Sequence, residues 1–482
     1  MHRFKLLILL VFTSLCAFGQ ENNVWTLQEC IDYALANNIT IQRSRLDLTN
    51  AEINYKQAQY NRLPNLNANG SYGFSWGRSI DPTTNLFVEN QRIVSSNANV
   101  SSSVTLFNGF NINNNIKQNE YSYKATEKTV EDTENNTILN VVSFYTNVLF
   151  TKELFENSKK QLESTTQQVE ITRKRVDAGA LPISNLLDLL AQKATNELNQ
   201  VNRENDYNNA RIQLKQALQL PPEQNIDIAL PDAEINVNPV MDLTAIEIYN
   251  IALSSQPNVQ AAAYNVKSAE YGVKTQQGTL YPTLSLNAGL STQYSDVADG
   301  PRFVPDGGAP RIIEEQIGFV QGSGTPVLAE QEIPSGQLLP DYPFTEQYED
   351  QLRKFISLNL SIPIFNRFAA RNSVQRSQIT QSRADLTEKE TKYQLWQTIE
   401  QAYNNVIAAA KSYESSQKQV EAREESFRVI KQRYEVGAAN YVDYQVAEND
   451  LFQAKSDLLR AKFDFIFRQK ILDFYQGKPL EF

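Results

Sequence analysis

The chain has 482 residues, 45 basic and 55 acidic side chains, and a formal net charge of −10. That balance argues against a nucleic-acid partner, which favours a basic face. With His2 as the lone histidine and Cys16 and Cys30 as the only cysteines, loss of an N-terminal segment leaves no His-based triad, no His-bearing zinc site and no intrachain disulfide.

Residues 1–19 have the layout of a signal peptide. His2, Arg3 and Lys5 are basic, Leu6 to Leu15 are apolar, and Ala17-Phe18-Gly19 offers a small-residue cleavage site before Gln20. The bulky Leu15 before Cys16 argues against lipidation. The mature chain is therefore expected to be exported, with stability from size or assembly. Its apolar runs fall short of the roughly 18 to 20 residues of a spanning helix, so entry into a membrane would require a β-barrel.

Thr26 to Leu63 reads as a helix. From Leu66 the chain alternates, with Leu66, Ala68, Gly70, Tyr72, Phe74 and Trp76 on one face and Asn67, Asn69, Ser71, Gly73 and Ser75 on the other. After an expected loop from Arg78 to Ser96, Ala98, Val100, Ser102, Val104 and Leu106 alternate with Asn97, Asn99, Ser101, Ser103 and Thr105. Period-2 runs of about ten residues, apolar on one side and small and polar on the other, suit a lipid-facing, water-lined barrel strand. A soluble sheet with one wet face alternates likewise, but a solvated face usually carries Lys and Glu. Tyr72, Phe74, Trp76, Phe107, Phe110, Tyr281, Phe355, Phe365 and Phe368 cluster near strand ends, as membrane-interface anchors do.

Phe110 to Ala178 contains neither Gly nor Pro, so a continuous helix there reaches about 100 Å. Gly179 is expected to cap it and turn the chain into a returning helix, Ser184 to Leu218. A linker follows at 220–243, where Pro221, Pro222, Pro231 and Pro239 forbid a long helix.

Then the order begins again. Thr26, Ala34, Lys56, Pro64 and Asn69 recur at Thr244, Ala252, Lys274, Pro282 and Asn287, a shift of 218. Ser103, Phe107, Tyr145, Arg175 and Gly179 recur at Ser361, Phe365, Tyr403, Arg433 and Gly437, a shift of 258. Two repeats are thus expected, 20–219 and 244–482, the second carrying about 40 extra residues. Its strands are expected at 284–291 and 356–364, and its long helix from Phe368 to Val436 ends at Gly437. The helix returning from there runs from Val442 to Phe474. The insertion, about 296–350, is rich in Pro and Gly and reads as an irregular extracellular loop. Four strands cannot close a barrel, so copies of the chain must share one; two copies would supply eight strands and three would supply twelve.

Leu27-x-x-x-Ile31-x-x-Ala34-Leu35, Pro64 entering a strand, Leu106-Phe107-Asn108-Gly109 leaving one, and the R-x-x-x-G-A turns at Arg175 and Arg433 resemble the TolC-like outer-membrane efflux proteins. The resemblance covers nearly the whole mature chain. It implies a membrane β-barrel joined to a long α-helical coiled-coil barrel, built as a homotrimer with twelve strands and twelve helices. Such a protein is an exit duct in the outer membrane of a Gram-negative bacterium. It crosses the periplasm and docks onto a periplasmic adaptor protein and an inner-membrane transporter. No cofactor, metal or catalytic residue is implied.

By the same resemblance Asp443 lines the periplasmic entrance, aided by Glu448 because Val446 stands where the family has a second Asp. Asp188 lies there under the first-repeat alignment. Tyr434 belongs to the closing contacts, in which Ala439 replaces an Arg. Plainer roles exist: Asp443 as N-cap of the returning helix, Tyr434 as a packing residue. Two rival functions remain, a surface coiled-coil adhesin and an enzyme using Glu314, Glu315, Asp341 or Glu346 of the insertion.

Overall fold

A computed structural model describes residues 24–81, 83, 87–229 and 243–478. The expected signal peptide and residues 230–242 of the linker lie outside these. In chain order the elements are β1 (Val24–Trp25), α1 (Leu27–Asn37), α2 (Ile39–Tyr60), β2 (Asn67–Ile80), β3 (Phe87–Phe107), α3 (Asn111–Asp177), α4 (Ile183–Leu218) and β4 (Asp227–Ile228). The second half follows with α5 (Ala245–Ser255), α6 (Pro257–Gly278), β5 (Thr283–Ser295), β6 (Arg302–Pro305), β7 (Arg311–Phe319), β8 (Pro326–Ile333), β9 (Gly336–Leu339), α7 (Phe344–Asp350), β10 (Arg353–Ser361), α8 (Ala369–Glu435) and α9 (Tyr441–Tyr475). The chain divides into a helical unit (1–55, 117–271, 378–482) and a sheet-bearing unit (56–116, 272–377).

In the helical unit α3 and α8 are each unbroken over 67 residues, about 100 Å at the α-helical rise. The helices expected over 26–63 and 244–281 are each broken in two. Asn38 leaves helical geometry, and its Oδ1 accepts from the N–H groups of Thr40 (2.8 Å) and Ile41 (3.3 Å), starting α2 afresh. At the matching place Pro257 is the first residue of α6, where a missing N–H costs nothing and the residue before it is held extended. Both α1 and α5 begin with the same capping box. Glu29 N–H donates to Thr26 Oγ1 (3.3 Å) while Thr26 N–H donates to Glu29 Oε2 (2.7 Å), and Thr244 and Glu247 repeat it at 3.4 and 2.7 Å.

One core joins Cys30, Val141, Tyr145, Leu149 and Leu214 with Leu220, Ile226 and Ile228. The start of the linker is therefore structural: β4 pairs in parallel with β1, and Tyr145 Oη donates to Ala229 O at 2.8 Å. A second core gathers Ile248, Ile399, Val406, Phe465 and Leu472.

The sheet-bearing unit holds a four-stranded antiparallel sheet in the order β10-β5-β3-β2. The loop expected from Arg78 to Ser96 is mostly ladder. Pairing continues through Gly77↔Gln91 and, after a bulge, to Ile80↔Phe87. Conversely β10 stops at Ser361, ahead of Pro363, which cannot donate to a ladder. The insertion is not irregular either: β6 pairs with β9, β7 with β8, and α7 follows. Alternating β-branched residues at Ile313, Ile317 and Val327 supply the strands, and Gly322 and Gly324, both at positive φ, supply the turn.

Candidate conduit wall and entrance

Register places the alternating residues of the four strands on common faces. Ala68, Val100 and Leu290 stand in one row that ends in Lys354 on β10, Ser102, Ala288 and Ile356 in another, and Val104, Leu286 and Leu358 in a third. The intervening rows are polar: Asn69, Asn99, Ser291 and Arg353, then Ser103, Asn287 and Ser357, then Thr105, Ser285 and Asn359. The apolar face is bare within the chain, with Ile356 79 % and Leu358 62 % exposed. Burying such side chains stabilises by about 1.5–3 kcal/mol each, so a stable protein must cover this face with something apolar.

The strands are also staggered. Asn99, Val100 and Ser101 of β3 pair with both β2 and β5, and their β5 partners pair in turn with β10; above and below these rows the described sheet is narrower. Displacement of that kind is what a barrel needs, because tilted strands close only with a stepped register.

The expected interface aromatics fall into two groups. Tyr72, Phe74 and Trp76 follow one another along the apolar face of β2, Tyr72 edge-to-face with Phe74 and Phe74 stacked on Trp76, with centroids 5.5 and 6.2 Å apart, and all three are at least half exposed. They lie inside the lengthened ladder rather than at its end. Phe107 and Phe365 each meet a phenylalanine three residues on, Phe110 (5.6 Å, 84°) and Phe368 (5.5 Å, 89°), at the strand-to-helix junctions. Phe355 departs from expectation. It shares the polar face with Ser357, and its ring lies over Gly289, where an added Cβ would come within 2.7 Å of it.

The insertion is tied to the other end of the β3–β5 ladder, which begins at Ser95↔Ser295. Tyr348 Oη is 2.6 Å from Ser96 Oγ, and Thr292 Oγ1 donates to Tyr348 O at 2.7 Å. The buried Gln347 accepts from Ser295 N–H (3.0 Å) and donates to Ser295 O (3.1 Å). Ser96 and Thr292 share the face of Val100 and Leu290, so α7 covers the apolar side where its rows turn to Ser and Thr. Glu346, one of the insertion's candidate catalytic carboxylates, is held by Arg302 at 3.0 Å.

In the helical unit both turns close alike. Gly179 (φ 72°) and Gly437 (φ 78°) take the left-handed conformation that glycine adopts without a Cβ penalty. Ala180 N–H donates to Arg175 O and Ala438 N–H to Arg433 O, at 2.8 and 2.7 Å. These 6→1 bonds satisfy the last carbonyls of α3 and α8. Beside the turns Val169 and Leu189 pack with Tyr441 and Tyr444.

Tyr434 belongs to this cluster, 5.0 Å from the Tyr444 ring, so it packs. Asp443 is exposed but does not cap α9. Asn440 is the cap, its Oδ1 accepting from Asp443 N–H at 2.8 Å, which leaves the Asp443 carboxylate in the helix's first turn. Asp188 is also exposed. Glu448 is not at the surface: it is 4 % exposed, accepts from Ser164 Oγ (2.8 Å) and Tyr444 Oη (3.3 Å), and joins α9 to α3. Desolvation pushes its carboxyl pKa up, against the lowering effect of the two hydroxyls and of Lys431.

Comparison with known proteins matches the chain to the family model described as "Outer membrane efflux protein" over residues 30–219 and 345–467. Outer membrane protein TolC of Escherichia coli is 24 % identical over 96 % of this chain and 85 % of its own length. Outer membrane efflux protein BepC of Brucella suis is 26 % identical over 57 % of this chain, a match spanning just over half, 56 %, of the relative's length. Among solved structures, VceC of Vibrio cholerae superposes with a TM-score of 0.71 at 14 % identity, covering 94 % of this chain and 97 % of that one. CusC gives 0.69 at 16 %, covering 96 % of each. At these identities the superpositions establish a shared fold, and with most of the chain inside the family model, the protein belongs to the outer membrane efflux protein family.

Proposed function

We propose that this chain is one subunit of an outer-membrane exit duct, working with a periplasmic adaptor protein and an inner-membrane transporter in efflux or secretion. Three copies would close a twelve-stranded barrel, and their paired helices would form a periplasmic tube. The observation that carries this reading is the sheet: staggered antiparallel strands, one face apolar and bare, the other lined by Asn, Ser and Thr. Water-soluble cargo passes along such a polar lining, and lipid covers the opposite face. The duct is passive, so energy and selection come from the pump.

Asp443 and Asp188 are the candidate entrance residues, exposed beside the two helix turns, and Glu448 is excluded from that role by its burial. A ring of Asp443 carboxylates at a constriction would concentrate cations. On its outer side the insertion stands beyond the bilayer, with α7 marking where the lipid-facing rows end.

The test is reconstitution. Purified protein in planar bilayers should conduct, migrate as a folded species that shifts on boiling, and be blocked by multivalent cations less well as Asp443→Asn. A detergent-independent soluble monomer without conductance would refute the duct, and equal block in the variant would remove the Asp443 ring.

A further inference from the structure

The polar face of the four strands carries a single charge. Register sets every odd-numbered residue on that face over 67–75, 93–105, 283–295 and 353–361, and of these Arg353 alone is a Lys, Arg, Asp or Glu. Lys354, one residue on, ends an apolar row on the opposite face, so strand parity separates the two cations. Arg353 opens β10 at the end where α7 joins it, exposed and in one row with Ser291, Asn99 and Asn69.

This guanidinium has no counter-charge. Glu346 and Asp350 of α7 are held by Arg302 at 3.0 and 2.9 Å, and Tyr342 Oη also donates to Asp350. Asp81 meets the polar face at Ser295, fully buried, and accepts from Ser295 Oγ and from Thr83 N–H. Among the described residues Arg353 forms no ion pair. Its charge persists at any working pH, above a lining of neutral polar groups. Phe355, next on the same face, lies over Gly289 and is 47 % exposed.

We propose that Arg353 binds anionic cargo and sets the charge preference of the barrel lumen, the favoured class being organic oxyanions with an apolar body. The planar guanidinium fork takes two oxygens of a carboxylate, sulfonate or phosphate at once. The Ser291 hydroxyl and Asn99 amide supply further donors along the row. Two residues on, about 7 Å along the strand, the Phe355 ring receives the apolar part. Rings of Arg or Lys favour anions in pores, and a low-dielectric wall focuses their field. The pump decides what enters the duct, and Arg353 biases what leaves it, with a sign opposite to that of Asp443.

This assignment rests on the duct reading and names the cargo chemistry its wall favours. It is tested with the full-length protein in planar bilayers under a dilute KCl gradient, because the screening length is about 30 Å at 0.01 M against about 8 Å at 0.15 M. Arg353→Gln should lower the chloride-to-potassium permeability ratio about two- to fivefold, the upper figure being the effect of a unit charge about 4 Å away in water. Arg353→Lys should keep the ratio, and Lys354→Gln on the opposite face should leave it unchanged. Naphthalenesulfonate added on the insertion side should block the wild type, and the neutral naphthalenemethanol should not. Block should weaken in Arg353→Gln and in Phe355→Ala, the latter without a change of permeability ratio. The wild-type comparison of the two probes needs no variant, so it decides the matter even where Arg353→Gln fails to assemble. A conducting wild type that naphthalenesulfonate does not block, or an assembled Arg353→Gln with an unchanged ratio, overturns the anion site while the duct stands. A wild type that never conducts overturns both.

Discussion

Glu448 has the most unusual surroundings of any carboxyl beside the helix turns. Its carboxyl is buried against Ser164 and Tyr444, and desolvation raises its pKa from the ordinary 4.5. The folded protein therefore holds this proton to higher pH than the unfolded chain does. That stabilising contribution is complete below the ordinary value and disappears as pH rises through the raised one. Amide protection near Ser164 and Glu448, taken relative to the intrinsic exchange rate at each pH, should accordingly fall from pH 5 to pH 7.5, and Glu448→Gln should flatten that fall; an unchanged profile would show the carboxyl to be irrelevant. Glycines allow a second comparison. Gly437→Ala meets no neighbour within 4 Å and should lose only the left-handed backbone preference, about 1–2 kcal/mol. Gly109→Ala would place a Cβ 2.5 Å from Gly278 O and 2.7 Å from Tyr281 Cβ, so its assembled form should dissociate at a clearly lower temperature. Equal losses would contradict the packing described here. Gly179 and Gly437 were legible as helix stops because each closes a long stretch without Gly or Pro. Burial of Glu448 was not, since one acidic residue among the several on α9 looks the same whether it faces water or another helix.

Strand parity governs the next scale. Leu358→Lys puts a charge on the bare apolar face, at a cost of about 2–4 kcal/mol near the bilayer midplane, falling toward the interfaces. It should deplete assembled protein from the membrane. Asn359→Lys, one residue on, enters the polar face and should assemble normally while reducing cation conductance. Similar yields of both variants would remove the two-faced reading of β10. Alternation of that strength was readable from Leu66 and Ile356 onward. Element ends were less so. Asn38 breaks its helix by a side-chain cap that competes with continuation, while Pro257 and the Thr26/Glu29 and Thr244/Glu247 boxes carried recognisable signals. In the insertion, Pro and Gly marked turns between β7 and β8 and around β6, rather than a loop without structure.

For the molecule as a whole, the two halves of the repeat contribute two strands each to one sheet, which leaves β10 and β2 as its edges. What the chain could not reveal from composition is the insertion's side: α7 rests on the apolar face of β3 and β5 through contacts of Ser96 and Thr292 with Tyr348, which no periodicity encodes. The central claim is that consecutive residues of the sheet see hydrocarbon and water in turn. Spin labels at single cysteines from Lys354 to Ser361, in protein reconstituted into bilayers, test it most directly. Collision with dissolved oxygen should peak at 356, 358 and 360, and collision with a water-soluble nickel chelate at 357, 359 and 361. Uniform access of both relaxants along the strand would contradict the account.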